Sequence, residues 1–426
     1  MTQEAEPTAT EDTMLLGSFK KTTPPTPAHA TRPLPSWSAT VVTSLLMGLA
    51  FGLAFYKSHV FEPASIRGQF LFRKFIMLKV FFGAMGTGAL LLAALSYLDF
   101  PQFASLQSLW RPTAATRGWL TGPVLGGALL GAGMAASGAC PGMVLAAWGA
   151  GTSDSIYTIA GGLLGGLVYG YKADLMQRAL LDRGPRGPTQ CGKEYAHESL
   201  GMPYYVLAAG LGVFCLTGCA ALEYLVPWRS EVPERLADSM GQSSCDFGSN
   251  PGSFVASLWD CPAWPPSIAG ILVGALQLPT AMVMETLLGS ATAFAVCSAA
   301  WVNILPDNLL PDRSAHPYLY VFATPHPKSW WQIPYVASAV VIANYASKFD
   351  DDYGGATGVG FLPAFVGGFV LIFASRLGGG CTSGHGLSGC AALLVQSFIA
   401  VPAMFAGGIL PAVVWEVASG GSFFDG

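Results

Sequence analysis

Only 11% of the 426 residues are charged and 52% are hydrophobic, which excludes an ordinary water-soluble domain, where about a quarter of residues carry charge. The net charge is −4 and no basic tract is present, so nothing points to a nucleic-acid partner. The remaining class is a polytopic membrane protein in contact with lipid, built from helices that each need about 20 apolar residues to cross.

Residues 1–36 are polar, rich in Pro and Thr, and lack the apolar core of a signal peptide. A disordered cytoplasmic tail is expected there. Apolar runs then follow at Trp37–Tyr56, Ile76–Leu98, Trp119–Ala136 and Ile156–Tyr171. Met143–Trp148 is too short to cross. Residues 172–202 form the most basic loop, with Lys172, Arg178, Arg183, Arg186 and Lys193, and the positive-inside rule places it in the cytoplasm. A linking span, residues 203–226, leads to the acidic interval 227–266, expected outside the cell. There, Cys245 and Cys261 are candidates for a disulfide in an oxidising space. Further apolar runs begin at Ile268 and cover Ile333–Ala346, Leu362–Ala374 and Phe398–Val417, before a short tail at 418–426.

Two cysteines sit where such spans must break. The stretch Leu377-Gly378-Gly379-Gly380-Cys381-Thr382-Ser383-Gly384-His385-Gly386 follows directly on an apolar helix-like run. Its counterpart is Ser137-Gly138-Ala139-Cys140-Pro141-Gly142. Gly126-Gly127 and Gly367-Gly368 each begin fourteen residues before the cysteine, and Gly138 and Gly379 each stand two before it. Gly270–Gly274 resembles Gly48–Gly52, and Thr286–Thr292 resembles Val80–Gly86. This order of matches implies an internal duplication of 37–171 and 267–417. One half starts inside and the other outside, so the repeats are expected to be inverted, with the site at broken helices near the midplane. The expected fold is therefore all-α, with about nine transmembrane helices plus short broken or re-entrant helices in two pseudo-symmetric repeats.

The Gly-Gly-Gly-Cys-Thr-Ser-Gly-His motif at 378–385, paired with Gly-Ala-Cys-Pro-Gly at 138–142, resembles the YeeE/YedE family of sulfur-compound transporters. The interval Phe55–Val80 resembles its eukaryotic branch. The resemblance runs from about residue 40 to 417. It implies uptake of thiosulfate across the plasma membrane, with no enzymatic step and no cofactor. It also implies that Cys140 and Cys381 are the two central loop cysteines. Bacterial members often carry another cysteine just after the first span, and Lys57–Pro63 has none here.

Thiosulfate is a dianion with a soft terminal sulfur. Helix N-termini present unpaired N–H groups to anions, and Gly138, Gly142, Gly379, Gly380 and Gly384 allow the backbone close approach. Thr382 and His385 are expected to contribute at the second loop. A neutral thiol is a weak donor and acceptor, able to touch the sulfur and release it. The relay therefore calls for protonated thiols. Arg376 and Lys79 are candidates for steering anions, with membrane anchoring as the alternative role.

Two rival readings remain at this level. A membrane sulfurtransferase would carry a persulfide on Cys381 and hand it to a cytoplasmic sulfur-acceptor protein. A metal transporter would use Cys381 with His385, although a closed zinc site needs four ligands and no second cluster supplies them.

Overall fold

In hydrocarbon, main-chain N–H and C=O groups must be paired within the protein, so apolar runs of this length fold as helices. The computed structural model of the protein describes residues 36–100, 103–104, 106–107, 110, 120–176, 178–179, 194–232, 261–304, 311–313, 315–349 and 356–418. Those residues are all-helical apart from turns and one isolated bridge between Tyr195 and Leu394. The expected tail, and most of the basic and acidic loops, lie outside them.

The principal helices are α1 (Trp37–Lys57), α2 (Pro63–Phe70), α3 (Ile76–Tyr97), α4 (Gly122–Ser137), α5 (Met143–Gly149), α6 (Ser155–Met176) and α7 (Tyr204–Leu225). They continue with α8 (Pro266–Met284), α9 (Ala291–Asn303), α10 (Gln332–Lys348), α11 (Phe361–Gly378), α12 (Thr382–Gly389) and α13 (Val395–Ala418). Six of them, α1, α3, α7, α8, α11 and α13, are long and apolar enough to cross a membrane. Helix α6 is diluted by glycine and tyrosine, and α10 has only 17 residues.

The helices pair as α6 on α11, α4 on α13, α1 on α10, α3 on α8, α7 on α3 and α4 on α11. Glycine lets these pairs meet main chain to main chain. Small residues serve this purpose in membranes because lipid tails give no hydrophobic drive for helices to associate. A Cβ at Gly48 would lie 2.0 Å from the Tyr335 carbonyl oxygen, and one at Gly131 would lie 1.9 Å from that of Met404. Both obstacles are backbone and cannot swing aside. Gly131→Val should therefore cost about 3 kcal/mol or more, the upper part of the overpacking range. Size-exclusion profiles and thermal melts in detergent should show loss of the folded monodisperse protein. Gly210→Val, with no atom within 4 Å of the added Cβ, should behave like the parent.

One end of the bundle is tied by polar contacts. Lys57 Nζ donates to the Cys261 carbonyl at 2.7 Å, and the Trp264 N–H donates to the Lys57 carbonyl at 2.6 Å. Cys261 is disulfide-bonded, and its expected partner Cys245 lies outside the described residues. Lys79 is fully buried at the same end, where its ammonium meets Glu223 at 3.0 Å and Glu231 at 2.8 Å. It also donates to the Val226 carbonyl.

One expected internal match fails. Val80–Gly86 lies within α3, whereas Thr286–Ser290 is the non-helical turn between α8 and α9. The chain turns there because Glu285 takes a left-handed conformation, φ 53°, that stops α8.

Candidate functional site

Each cysteine motif breaks its helix in the same way. Helix α4 ends at Ser137, and Gly138 follows with φ 60°. Helix α11 ends at Gly378, and Gly379 follows with φ 86°. These left-handed values suit glycine, which has no Cβ to clash with the next carbonyl. Two residues later the chain presents Cys140 or Cys381, and a short helix then begins at Met143 or Thr382. Both thiols are free and buried, at 4% and 2% exposure.

The two breaks meet. The Cys140 thiol faces the backbone N–H groups of Gly142 and Met143, the Thr382 side chain, and Cys381 itself. The Cys381 sulfur lies 3.0 Å from the Ser383 hydroxyl, which is 3.3 Å from that of Ser290. Backbone N–H groups of Ser290, Ala291 and Gly384 also point at Cys381. Ser290 in turn abuts the first loop, because a Cβ added at Gly142 would come within 2.5 Å of its hydroxyl. The starts of α9 and α12 thus converge on Cys381, and their unpaired N–H groups give the site a positive local field.

The other expected residues fall in distinct places. Gly380 packs under the His385 ring, where an added Cβ would lie 2.9 Å from Nε2. His385 Nε2 lies 3.2 Å from the Gly378 carbonyl, so that nitrogen carries the proton. Nδ1 then accepts from the Ser397 hydroxyl at 3.1 Å. This pins the second loop onto the start of α13. Gly384 faces Cys381, whose sulfur would stand 3.8 Å from an added Cβ. Gln277 donates to the Ser388 hydroxyl, and that hydroxyl donates to the Leu288 carbonyl at 2.7 Å, which anchors α12 to the turn before α9.

The two candidate steering cations differ. The Lys79 charge is matched by two carboxylates at the tied end of the bundle. Arg376 forms no ion pair among the described residues. It donates to the Tyr318 hydroxyl at 2.7 Å and to Thr292 Oγ1 at 3.4 Å, and lies 5.3 Å from the Phe322 ring centroid. Thr292 is one residue past Ala291, which ties Arg376 to the start of α9.

A narrow cleft lies beside the first break. Its lining includes Phe61, Ser137, Gly138, Ala139, Asp154 and Thr158. Ala139, which precedes Cys140, is among its lining residues.

Tyr335, in electrostatic reach of both thiols, also belongs to this cluster, and neither it nor Ser290 nor Ser383 is among the residues expected here. Ser383 lies inside the second motif, where its adjacency to Cys381 was a usable signal. Ser290 and Tyr335 arrive by long-range packing and have no local signature.

No curated protein matches the chain. The family described as sulphur transport matches residues 57–410, an interval holding both glycine-cysteine breaks and the helices that surround them, except α1, of which only Lys57 is included, and the end of α13. With six helices long and apolar enough to cross a membrane as its frame, this integral membrane protein belongs to that YeeE/YedE sulphur-transport family.

Proposed function

We propose that the protein takes up thiosulfate across the plasma membrane, passing the anion between the protonated thiols of Cys140 and Cys381. The observation that carries this reading is the meeting of the two breaks, with N–H groups of Ser290, Ala291 and Gly384 directed at one thiol and those of Gly142 and Met143 at the other. An anion gains from that field, and a neutral thiol contacts its sulfur without holding it tightly. Gly138, Gly142, Gly379, Gly380 and Gly384 shape the passage, Thr382 bridges the two loops, and His385 fixes the second. Arg376 draws the anion toward the start of α9. The cleft beside Gly138 is the approach to Cys140.

In this reading the two halves are inverted repeats, and reciprocal seams support it. Gly48 and Gly52 of α1 rest on the carbonyls of Tyr335 and Ala339, while Gly270 and Gly274 of α8 rest on those of Val80 and Ala84. Gly127 meets the Ala400 carbonyl and Gly368 meets that of Thr158. Gly407 meets the Ala128 carbonyl and Gly165 meets that of Phe369. The nine expected crossings are then the six long apolar helices, α6, α10 and the broken α4–α5 pair. The N-terminus and the basic loop lie in the cytoplasm by the positive-inside rule.

The test is growth and labelled-thiosulfate uptake in a sulfur-starved host that lacks its own route. Expression of the full chain should restore both. A host that grows on another sulfur source yet takes up no thiosulfate, with the protein present in its membrane, would overturn the reading.

A further inference from the structure

Tyr335 is 1% exposed and stands near the start of α10, with its main chain clamped against Gly48. Its ring is held between two others, Phe51 at 5.2 Å and Trp331 at 5.5 Å between centroids. Phe51 itself reaches the first cysteine loop, its Cζ lying 3.1 Å from where a Cβ at Gly142 would be. The Tyr335 hydroxyl interacts electrostatically with both Cys140 and Cys381. Among the described residues that hydroxyl forms no hydrogen bond.

A buried phenol usually finds a partner, because leaving the O–H unmet forfeits its hydrogen bond to water. Here the packing of Tyr335 on Phe51, which reaches the first cysteine loop, leaves an unpartnered donor within electrostatic range of two thiols. The three groups differ in chemical hardness. A thiol is soft and a weak donor, whereas a phenolic O–H is a firm donor that shortens and strengthens its bond to a charged oxygen.

We propose that the Tyr335 hydroxyl is a binding residue of the thiol site, donating to an oxygen of the transported anion while Cys140 and Cys381 meet its sulfur. The site then takes a defined class of substrate: a small anion with oxygens at one end and a terminal sulfur at the other. The proposal rests on the uptake reading above and adds to it the group that reads the oxygens.

The experiment uses the full chain in lipid nanodiscs. N-ethylmaleimide modification of Cys140 and Cys381 is followed by mass spectrometry while thiosulfate is titrated as protectant. Tyr335→Phe keeps the ring and its stacking and removes only the donor. It should raise the half-protecting thiosulfate concentration about ten-fold, the scale of a hydrogen bond to a charged group. Half-protection is read relative to each protein's own rate without thiosulfate, so a change in thiol reactivity alone does not count as a loss of binding. Equal protection of parent and variant would overturn the assignment of Tyr335 alone. Failure of thiosulfate to protect the parent thiols would overturn the uptake reading and this proposal with it.

Discussion

Cys381→Ala should reduce thiosulfate uptake to the level of cells without the protein. Both the chemistry and the position of this side chain point that way. The thiol is buried, accepts or donates at 3.0 Å to Ser383, and lies under the N–H groups of Ser290, Ala291 and Gly384. Alanine keeps the turn, because the left-handed residue is Gly379 and not the cysteine. Only the sulfur is lost, so the protein should reach the membrane at the parent's level. Cys381→Ser separates softness from hydrogen bonding. A hydroxyl restores the donor but not the polarizable sulfur, and uptake should remain far below the parent. Cys140→Ala should have a similar effect from the other loop. Uptake equal to the parent at equal expression, for all three variants, would remove the thiols from the transport step.

Lys79→Met should have the second large effect, and on stability rather than on the passage. The lysine side chain is fully buried and bridges Glu223 and Glu231, the latter only 3% exposed. Glu231 also accepts from the Phe75 N–H, so it links the start of α3 to the segment after α7. Methionine fills much of the same space but leaves the Glu231 carboxylate buried without its cation. Breaking a buried pair from one side costs about 3–5 kcal/mol, because the orphaned charge remains. A marked fall in folded yield and melting temperature is expected. Adding Glu231→Gln should recover part of that loss, since it removes the stranded charge. A single variant that melts like the parent would show that the carboxylates are satisfied without the lysine.

How much of this was legible in the sequence follows from the range over which each feature is determined. The breaks at Cys140 and Cys381 are local events. A glycine that can turn left-handed, a small residue and a thiol occupy consecutive positions, so the motif and its structure coincide. Most apolar runs became helices within a few residues of their expected bounds, since length and hydropathy decide them. The turn at Glu285 was not legible. A left-handed glutamate has no sequence signal, and its neighbours read as one more apolar stretch. Missing that turn also hid the start of α9, and with it the N–H groups of Ser290 and Ala291 at Cys381. Tyr335 was concealed for a different reason. It lies in an ordinary apolar run, and only the seating of α10 against Gly48 brings its hydroxyl to the thiols. Lys79 was visible as a charge within a span, but its two carboxylate partners come from residues more than 140 positions away.

The carbonyl-on-glycine seams also have a mechanical meaning. Two helices separated by a layer of side chains can slide, because rotamers repack as they move. Main chains in direct touch, as α1 and α10 are at Gly48, or α4 and α13 at Gly131, have no such lubricating layer. The long helices are thus expected to keep their places, and in the uptake reading any movement falls to the short pieces hung from them, at 138–142 and 379–390.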